Sequence, residues 1–269
     1  MRNFSLGCPL SSLLYSLVAE PLAILIKQDE TVKGIKSSQG NISKIFQFAD
    51  DTTITVEDEA SMDRVIVHLH NYGLASGAKI NENKSEIMYC GVATRTPGRW
   101  EFREVVDEVK VLGVYLGKQQ GEARDKTWEN VISKVQKLLN LWNQRKLTIK
   151  GKTVIINSLI ISKIIYPLSV YDLPDRILNK FNSQITTFIW RRNRNLINHK
   201  SLIAPYKEGG LKLVDILSKK QAIRIKLVTK FLTSSTKHIW FDYFRSYLES
   251  FGTKTVFNFE IKAAICNFY

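Results

Sequence analysis

The sequence predicts an α+β fold for residues 1–117 and a mostly α-helical fold for residues 118–269. Before residue 118, short apolar segments alternate with polar positions in a strand-like way, whereas after it apolar residues recur every three to four positions over long stretches. The net charge changes at the same boundary. Residues 1–117 carry a net charge of −3, and residues 118–230 contain 23 lysines and arginines against 7 aspartates and glutamates. We therefore expect two domains, 1–117 and 118–269.

Local periodicity predicts the elements of the first part. Leucines recur at helical spacing after Pro9, a residue that suits a first helical position. Residues 42–56 alternate instead, with Phe46 and Phe48 on one side, around a polar break that predicts a tight turn between two strands. In order, we expect a helix over 9–26, two strands within 42–56, a helix over 59–75, and β-rich segments at 85–90 and 109–116.

The second part is predicted to be a series of amphipathic helices. Trp128 and Trp142 lie on the apolar stripe of the first of these helices and are expected in the core. Asp172 is suited to cap the third, because aspartate side chains accept hydrogen bonds from free N–H groups of a first helical turn. We expect helices over 128–142, 153–166, from Asp172–Pro174 to about 190, and 222–231, with a loop over 193–210.

Composition narrows the functional classes. The three cysteines, Cys8, Cys90 and Cys266, lie too far apart for a disulfide framework or a zinc knuckle to be inferred. No stretch of about 18 uncharged apolar residues occurs, so a membrane partner is not expected. The excess of positive charge in residues 118–230 favours a polyanion such as nucleic acid, since each neutralised phosphate releases condensed counterions. The alternative is a solvated basic helical surface without a ligand.

Adjacent acids stand at the predicted turn in Phe48-Ala49-Asp50-Asp51. Carboxylates at a hairpin tip cannot form ion pairs with residues in the core. They are suited to bind Mg²⁺, which takes one or two protein carboxylates and completes its coordination shell with phosphates and water. An ordinary acidic turn is the competing explanation, because aspartate favours turns. Local sequence alone does not decide between them.

Ordered motifs surround this acidic pair. Gly7-Cys8-Pro9-Leu10-Ser11 precedes it, and Ser76–Asn81, Lys84-Ser85 and Leu112-Gly113-Val114 follow it. In order and spacing these segments resemble the palm of reverse transcriptases from non-LTR (long interspersed) retrotransposons, from motif B to motif E. Residues 142–152, Phe188-Ile189-Trp190 and Gly209–Leu213 resemble the thumb of that family and the region after it. The resemblance implies a partial antiparallel palm sheet with helices over 1–117, followed by a basic helical thumb and C-terminal extension over 118–269.

The resemblance also implies roles for single residues. Asp50 matches the metal-binding aspartate of the family, and Asp51 is its neighbour in the same metal and catalytic site. The loop and helix start beside template and incoming nucleotide are matched by Gly7, Cys8, Pro9 and Ser11. Lys79 and Lys84 both lie where the family places a lysine near the triphosphate, and the sequence does not choose between them. The primer-grip hairpin is matched by Leu112, Gly113 and Val114.

The implied activity is RNA-directed DNA synthesis. Its cofactor would be Mg²⁺ (or Mn²⁺), and its partners an RNA template, a DNA primer and deoxynucleoside triphosphates. We expect the nucleic-acid contacts of the basic region at Arg145, Lys146, Lys150, Lys152, Arg191, Arg192 and Arg194. Trp190, beside three of these arginines, is a further candidate, because arginine and aromatic side chains combine on phosphates and bases.

The sequence departs from the family pattern at two positions, of which the first bears on nucleotide contacts and the second does not disturb a helix start. Leu6 stands where the family usually has glutamine, and Ser12 where it usually has proline. The family also supplies a metal-binding aspartate from an upstream strand that ends Ala-Phe-Asp, and this tripeptide does not occur in the 269 residues. Because a two-metal reaction needs carboxylates from two places, we expect an N-terminally truncated, catalytically incomplete enzyme. The alternative is a non-catalytic nucleic-acid-binding protein that uses residues 118–230, and a remnant without activity is a third hypothesis.

Overall fold

The computed structural model describes residues 10–91, 96–191, 198–234, 236 and 238–250. The chain divides into two compact units, one formed by residues 1–112 with 234–269 and the other by 113–233. The first boundary lies five residues before the change in charge at residue 118. Residues 234–269 group with the first unit in this division. The domains 1–117 and 118–269 stay a prediction.

The first unit mixes helices and strands. Helices α1 and α2 confirm the two predicted helices to within about two residues at each end, and the strands are shorter than expected. Its elements are α1 (Ser11–Gln28), β1 (Ile35–Lys36), β2 (Ile42–Ser43), β3 (Ile45–Phe48), β4 (Asp51–Ile54), α2 (Glu59–Ser76), a 3₁₀ turn (Glu82–Lys84), β5 (Glu86–Met88), β6 (Arg103–Val105), β7 (Glu108–Val111) and, near the C-terminus, α9 (Ile239–Ser250).

Six strands of the first unit form three pairs among the described residues. β1 pairs with β2 and β3 with β4, both antiparallel, whereas β5 pairs with β6 in parallel. A parallel pair needs a connection of about a dozen residues, and residues 89–102 provide it. The mixed α+β class is therefore confirmed, but a continuous antiparallel sheet is not formed by the part of the chain that the structure describes.

The core of the first unit lies between α1, α2 and the β3–β4 hairpin. Ile26 and Val65 are fully buried there, together with Leu22, Ala23, Val32 and Ile45. Helix α2 begins where the Asp58 carboxylate accepts a hydrogen bond from the Ser61 N–H and ends at Gly77, whose φ is 71°. The first turns of α1 are less covered, since Leu13 and Leu17 are 63% and 72% exposed. The leucine periodicity thus predicts the helix but not which of its turns are buried.

The second unit is almost entirely helical. It comprises β8 (Val114–Gly117), α3 (Gln120–Asn143), α4 (Ile149–Ile155), a π-helical turn (Ile156–Ile160), α5 (Ile161–Val170), α6 (Asp175–Trp190), α7 (His199–Ile203), a 3₁₀ turn (Tyr206–Glu208) and α8 (Ile216–Thr233). Residues 149–170 form one continuous helical run, longer than the predicted 153–166. The predicted loop over 193–210 contains α7 and the 3₁₀ turn, and residues 192–197 lie outside the described residues.

Trp128 lies at the centre of the second core. Its side chain is fully buried, its ring meets Phe181 edge to face at a centroid distance of 6.1 Å, and its Nε1 donates to the Asp172 carbonyl at 2.8 Å. Asp172 does not cap α6 as predicted, because Pro174 occupies the cap position and the Asp172 carboxylate pairs with Lys220 at 2.8 Å. A tertiary ion pair has here replaced the local cap.

The run Ile149–Val170 is long and apolar enough, by length and composition alone, to cross a membrane. Core helices of soluble proteins pass the same test. Several of its side chains, among them Ile156, Ile160 and Ile164, are fully or almost fully buried in the core of the second unit. Packing against other helices of the same unit thus accounts for much of its apolar character.

A partly exposed polar cluster fixes the end of α1. One Asp29 oxygen accepts from the Thr31 N–H at 2.9 Å, and the other lies 2.7 Å from Arg64 Nε and 2.6 Å from His68 Nε2. Hydrogen bonds from Thr31, then Arg64 and His68, hold the pKa of Asp29 well below its usual range. This carboxylate therefore stabilises the folded state in its charged form.

Replacing Asp29 should make the free energy of unfolding depend less on pH in the acidic range. Because its folded pKa is lowered, the charged group contributes its full stability above the ordinary aspartate pKa of about 3.9, and the contribution is lost as the pH falls below that value. We expect Asp29→Asn to unfold at lower denaturant than wild type at pH 7, with the difference shrinking below about pH 4. Denaturant unfolding across pH checks this, with the exposed neighbour Glu30→Gln as control. A difference that persists unchanged at pH 3 would contradict it.

Candidate functional site

The acidic pair lies at the tip of the β3–β4 hairpin. Phe48 pairs with Asp51 across the two strands, so Ala49 and Asp50 form a two-residue turn. Phe46 and Phe48 face the same side and are 46% and 67% exposed. The predicted hairpin is thus confirmed, with Asp50 in the turn and Asp51 at the start of β4.

The turn is strained at the residue before Asp50. Ala49 has a φ of 51°, in the left-handed region that residues with a Cβ rarely adopt. The Tyr15 hydroxyl of α1 donates to the Ala49 carbonyl at 2.9 Å, and the Tyr72 hydroxyl of α2 donates to the Val18 carbonyl of α1 at 2.9 Å. Tyr15 therefore ties α1 to the turn that carries Asp50, and Tyr72 ties α2 to α1.

Electrostatics at the turn reflects the nearby acid. Burial raises the pKa of the Tyr15 hydroxyl, and the negative charge of Asp50 raises it further. Tyr15 consequently stays protonated and remains a donor to Ala49. The carboxylates of Asp50 and Asp51 are exposed and form no hydrogen bond or ion pair with any residue that the structure describes.

A cleft of about 310 Å³ opens beside the turn, between α1 and β3. Tyr15, Glu20, Gln47 and Ala49 are among its lining residues. Within the described ranges, no group of three or more histidine, cysteine, aspartate or glutamate side chains is placed to hold a metal ion. The hairpin alone thus offers two adjacent carboxylates, a donor set that fits one weakly held Mg²⁺ with the rest of its shell left to water and phosphate.

The other predicted nucleotide contacts are not gathered at the turn. Gly7, Cys8 and Pro9 lie outside the described residues, and Ser11 begins α1. Lys79 lies in the loop after α2 and Lys84 ends a 3₁₀ turn; both are exposed, and the structure records no bond from either to Asp50 or Asp51. The choice between the two lysines therefore stays open.

The segment predicted as a primer grip has a distinctive backbone. Leu112 and Gly113 have φ values of 50° and 90°, and Val114, the first residue of β8, is almost fully buried. Two consecutive residues with positive φ are typical of a type I′ turn, which favours glycine. The predicted tight turn is present, whereas no described contact tests its role.

Three of the predicted basic contacts share one surface segment after α3. Arg145, Lys146 and Lys150 are exposed. The Arg145 guanidinium lies 5.4 Å from the Trp142 ring, and Arg191, at the end of α6, donates to the Arg145 carbonyl at 2.8 Å. Arg192 and Arg194 lie outside the described residues. The four described cations are Arg145, Lys146, Lys150 and Arg191. None of them forms an ion pair with an acid in the described part of the chain, so their charges are available to an anion.

Two expected contacts need correction. Lys152 is only 4% exposed, and its ammonium donates to the Ile189 carbonyl at 2.7 Å near the Phe188 ring. Burial, and then the charge of Arg191, lowers the pKa of Lys152. Trp190 is 6% exposed and belongs to the core. Both side chains are turned inward because α4 packs against the last turn of α6, and neither is available to phosphate or base.

The chain is similar to a known protein family and to a known protein. Residues 2–116 match the family model described as reverse transcriptase (RNA-dependent DNA polymerase). Over 244 residues, 89% of the chain, the sequence is 27% identical to the Transposon TX1 uncharacterized 149 kDa protein of Xenopus laevis. The resemblance to non-LTR retrotransposon reverse transcriptases is confirmed. Residues 2–116 are thus similar to reverse transcriptases, and most of the chain is similar to a transposon protein.

A second relative is more distant. Over 90 residues, 32% of the chain, the sequence is 24% identical to an Arabidopsis thaliana protein named "Putative ribonuclease H protein". The matched regions span 18% of the length of the TX1 protein and 14% of the plant protein. The whole-protein activities of such relatives are consequently not carried over as findings.

Tyr15 is the residue of this site that sequence reasoning missed. It stands in a helix of apolar residues, where a tyrosine is ordinary, and its partner Ala49 is 34 positions away. A helical tyrosine upstream of a predicted acidic turn was the one available hint, and it does not specify the pairing.

Replacing Lys152 tests whether this lysine stabilises the fold, whereas an exposed lysine of the same region does not. Lys152→Ala leaves the buried Ile189 carbonyl without its donor and removes a buried stem, so we expect a loss of about 1–3 kcal/mol in the free energy of unfolding. Lys146→Ala, at an exposed position of the same region, should change it by less than about 0.5 kcal/mol. Denaturant unfolding of both variants checks this, and equal stabilities would contradict the structural role of Lys152.

Proposed function

We propose that this chain is part of an RNA-directed DNA polymerase of the non-LTR retrotransposon type, with Asp50 as its metal-binding aspartate. The observation that carries the proposal is the placement of Asp50 and Asp51, exposed and unpaired among the described residues, at a hairpin tip. The match of residues 2–116 to reverse transcriptases supports it.

The chemistry would be nucleotidyl transfer assisted by two Mg²⁺ ions, which stabilise the attacking and leaving oxygens of the displacement; Mn²⁺ could substitute. Asp50 would supply oxygen to this metal site, and Asp51 would hold negative charge beside it. Tyr15, by donating to Ala49, would keep the turn in the conformation that points Asp50 away from the core. Carboxylates beyond these two are needed to hold both ions.

The remaining family positions complete the proposed polymerase. Residues 1–117 would act as the palm and 118–269 as the thumb and C-terminal extension. Template and deoxynucleoside triphosphate would lie near Gly7, Cys8, Pro9 and Ser11, with Lys79 or Lys84 at the triphosphate. The primer would be held by the turn at Leu112, Gly113 and Val114. The RNA template and DNA primer would lie along the basic surface around Arg145, Lys146, Lys150 and Arg191, to which Arg192 and Arg194 would add charge.

A second function is favoured by one specific observation. The described residues bring no third metal-binding side chain to a shared site, whereas the cations at Arg145, Lys146 and Lys150 are exposed. A nucleic-acid-binding protein without catalysis needs only the latter. The two functions are separated by the following experiments.

The 269-residue chain should not extend a primer. With Asp50 and Asp51 as the acids that the described residues offer, one ion of the pair lacks anchoring oxygens, and Mg²⁺ binds weakly to so few carboxylates. Primer extension on a poly(A) template with an oligo(dT) primer, thymidine triphosphate, and Mg²⁺ or Mn²⁺ tests this. Extension by wild type that Asp50→Asn abolishes would show that another acid completes the site.

Nucleic-acid binding should weaken steeply with salt. Each phosphate contact adds about 0.7–0.9 to the slope of log affinity against log salt concentration, so Arg145→Ala with Lys146→Ala should reduce that slope by about 1–2. Fluorescence anisotropy with a labelled oligonucleotide at several salt concentrations measures it. Lys163→Ala with Lys180→Ala removes the same charge from α5 and α6 and serves as control. An equal effect of both pairs would indicate a diffuse field rather than a defined surface.

A further inference from the structure

Tyr206 is an exposed aromatic residue beside the basic surface. It begins the 3₁₀ turn after α7 and is 53% exposed. The Lys150 ammonium lies over its ring, 5.4 Å from the centroid. Lys150 in turn follows Arg145 and Lys146 by only a few residues, in the segment to which Arg191 is bonded. A rigid ring thus stands at the edge of a group of available cations.

The backbone under this ring is closely held. The Gly209 N–H donates to the Tyr206 carbonyl and the Gly210 N–H to the Pro205 carbonyl, both at 3.1 Å. Gly210 packs so tightly against the Ala204 backbone that a Cβ at that position would collide with it. The loop therefore presents Tyr206 from a fixed position, and little backbone freedom would be lost when a ligand binds.

A second clamp holds the continuation of the loop. Asn157, in the π-helical turn, donates to the Lys212 carbonyl at 2.9 Å and accepts from the Val214 N–H at 3.0 Å. Lys212 has a φ of 54°, which is a strained value for lysine. Turns of π-helix inside α-helices are frequent at functional sites. Here the π-turn anchors the segment that carries Tyr206 to the helix that carries Lys150.

We propose that Tyr206 and Lys150 form a stacking site for an unpaired base of single-stranded nucleic acid, with Arg145 and Lys146 contacting its phosphates. This inference rests on the proposed nucleic-acid-binding function and adds a substrate class to it. Aromatic rings bind bases without sequence preference when cations beside them hold the backbone. A duplex offers no free base face along its length, so the site selects single strands. The only acid in the turn, Glu208, is exposed and forms no ion pair with the described residues.

The test compares oligonucleotides of equal charge. Fluorescence anisotropy is measured for the full chain with labelled dT15, with a 15-unit abasic strand, and with a blunt duplex. Wild type should bind dT15 at least about fivefold more tightly than the abasic strand, because stacking on an aromatic side chain contributes substantially for each base. Since both strands carry the same phosphates, this readout needs no variant and does not depend on the folding of a mutant.

Variants then assign the effect to Tyr206. Tyr206→Leu should weaken dT15 binding about five- to a hundredfold, leave the salt slope unchanged and leave duplex binding unchanged, whereas Tyr206→Phe should retain most of the affinity. Tyr166→Leu is the matched control, since Tyr166 is 41% exposed and lies about 24 Å from Lys150 along the same helical run, at about 1.5 Å per residue.

The outcomes separate the two proposals. Equal wild-type affinity for dT15 and the abasic strand, or equal loss in Tyr206→Leu and Tyr166→Leu, would overturn the stacking site while leaving phosphate binding intact. Absence of binding to all three probes at low salt would overturn the nucleic-acid-binding function and the stacking site with it. Preference for dT15 that is lost only in Tyr206→Leu would establish the site.

Discussion

The two-residue turn between β3 and β4 is the constraint on which the candidate active site depends. Because the connection has only two residues, Asp50 lies exposed at the tip of the turn. Asp51 follows in an exposed strand position. The conformation is costly, because a left-handed φ at a residue other than glycine costs of order 1–3 kcal/mol. The hydrogen bond from Tyr15 to the Ala49 carbonyl offsets part of that cost, since a typical hydrogen bond contributes about 1 kcal/mol net. Helix α1 therefore holds the turn through Tyr15, and α2 is bonded to α1 through Tyr72.

Charge in the second unit is arranged by a different constraint. Its core is built from large apolar side chains around Trp128, and burying an unpaired cation in such surroundings would be expensive. Almost all of the lysines and arginines that the structure describes in this unit consequently remain at least partly exposed, which leaves Arg145, Lys146 and Lys150 together on the surface. Lys152 is the exception, and it is tolerated because the C-terminal turn of α6 supplies a carbonyl and the negative end of the helix dipole.

Local pattern predicted much of the fold. The hairpin at Asp50, helix α2 and the long helix α3 all follow from periodicity within windows of fewer than 25 residues, and the structure contains each. The predictions that were wrong concern residues whose contacts lie far along the chain. Asp172 was expected to cap α6 and instead pairs with Lys220, 48 positions away. Trp190 and Lys152 were expected at the surface, but the packing of α4 on α6 buries both. A single sequence contains no information on which of several amphipathic faces will meet.

The same distinction separates the two candidate sites. The acidic site is local, since Asp50 and Asp51 are neighbours and their exposure follows from the turn itself; sequence could therefore identify it.

The basic surface is assembled from the end of α3, the start of α4, the end of α6 and the turn at Tyr206, and only folding of the second unit brings these together. Lys150 lies 56 positions from Tyr206, so their contact could not be predicted from the sequence. Substitutions in the core around Trp128 should accordingly disturb the basic surface while leaving the acidic turn, which is held by Tyr15, unaffected.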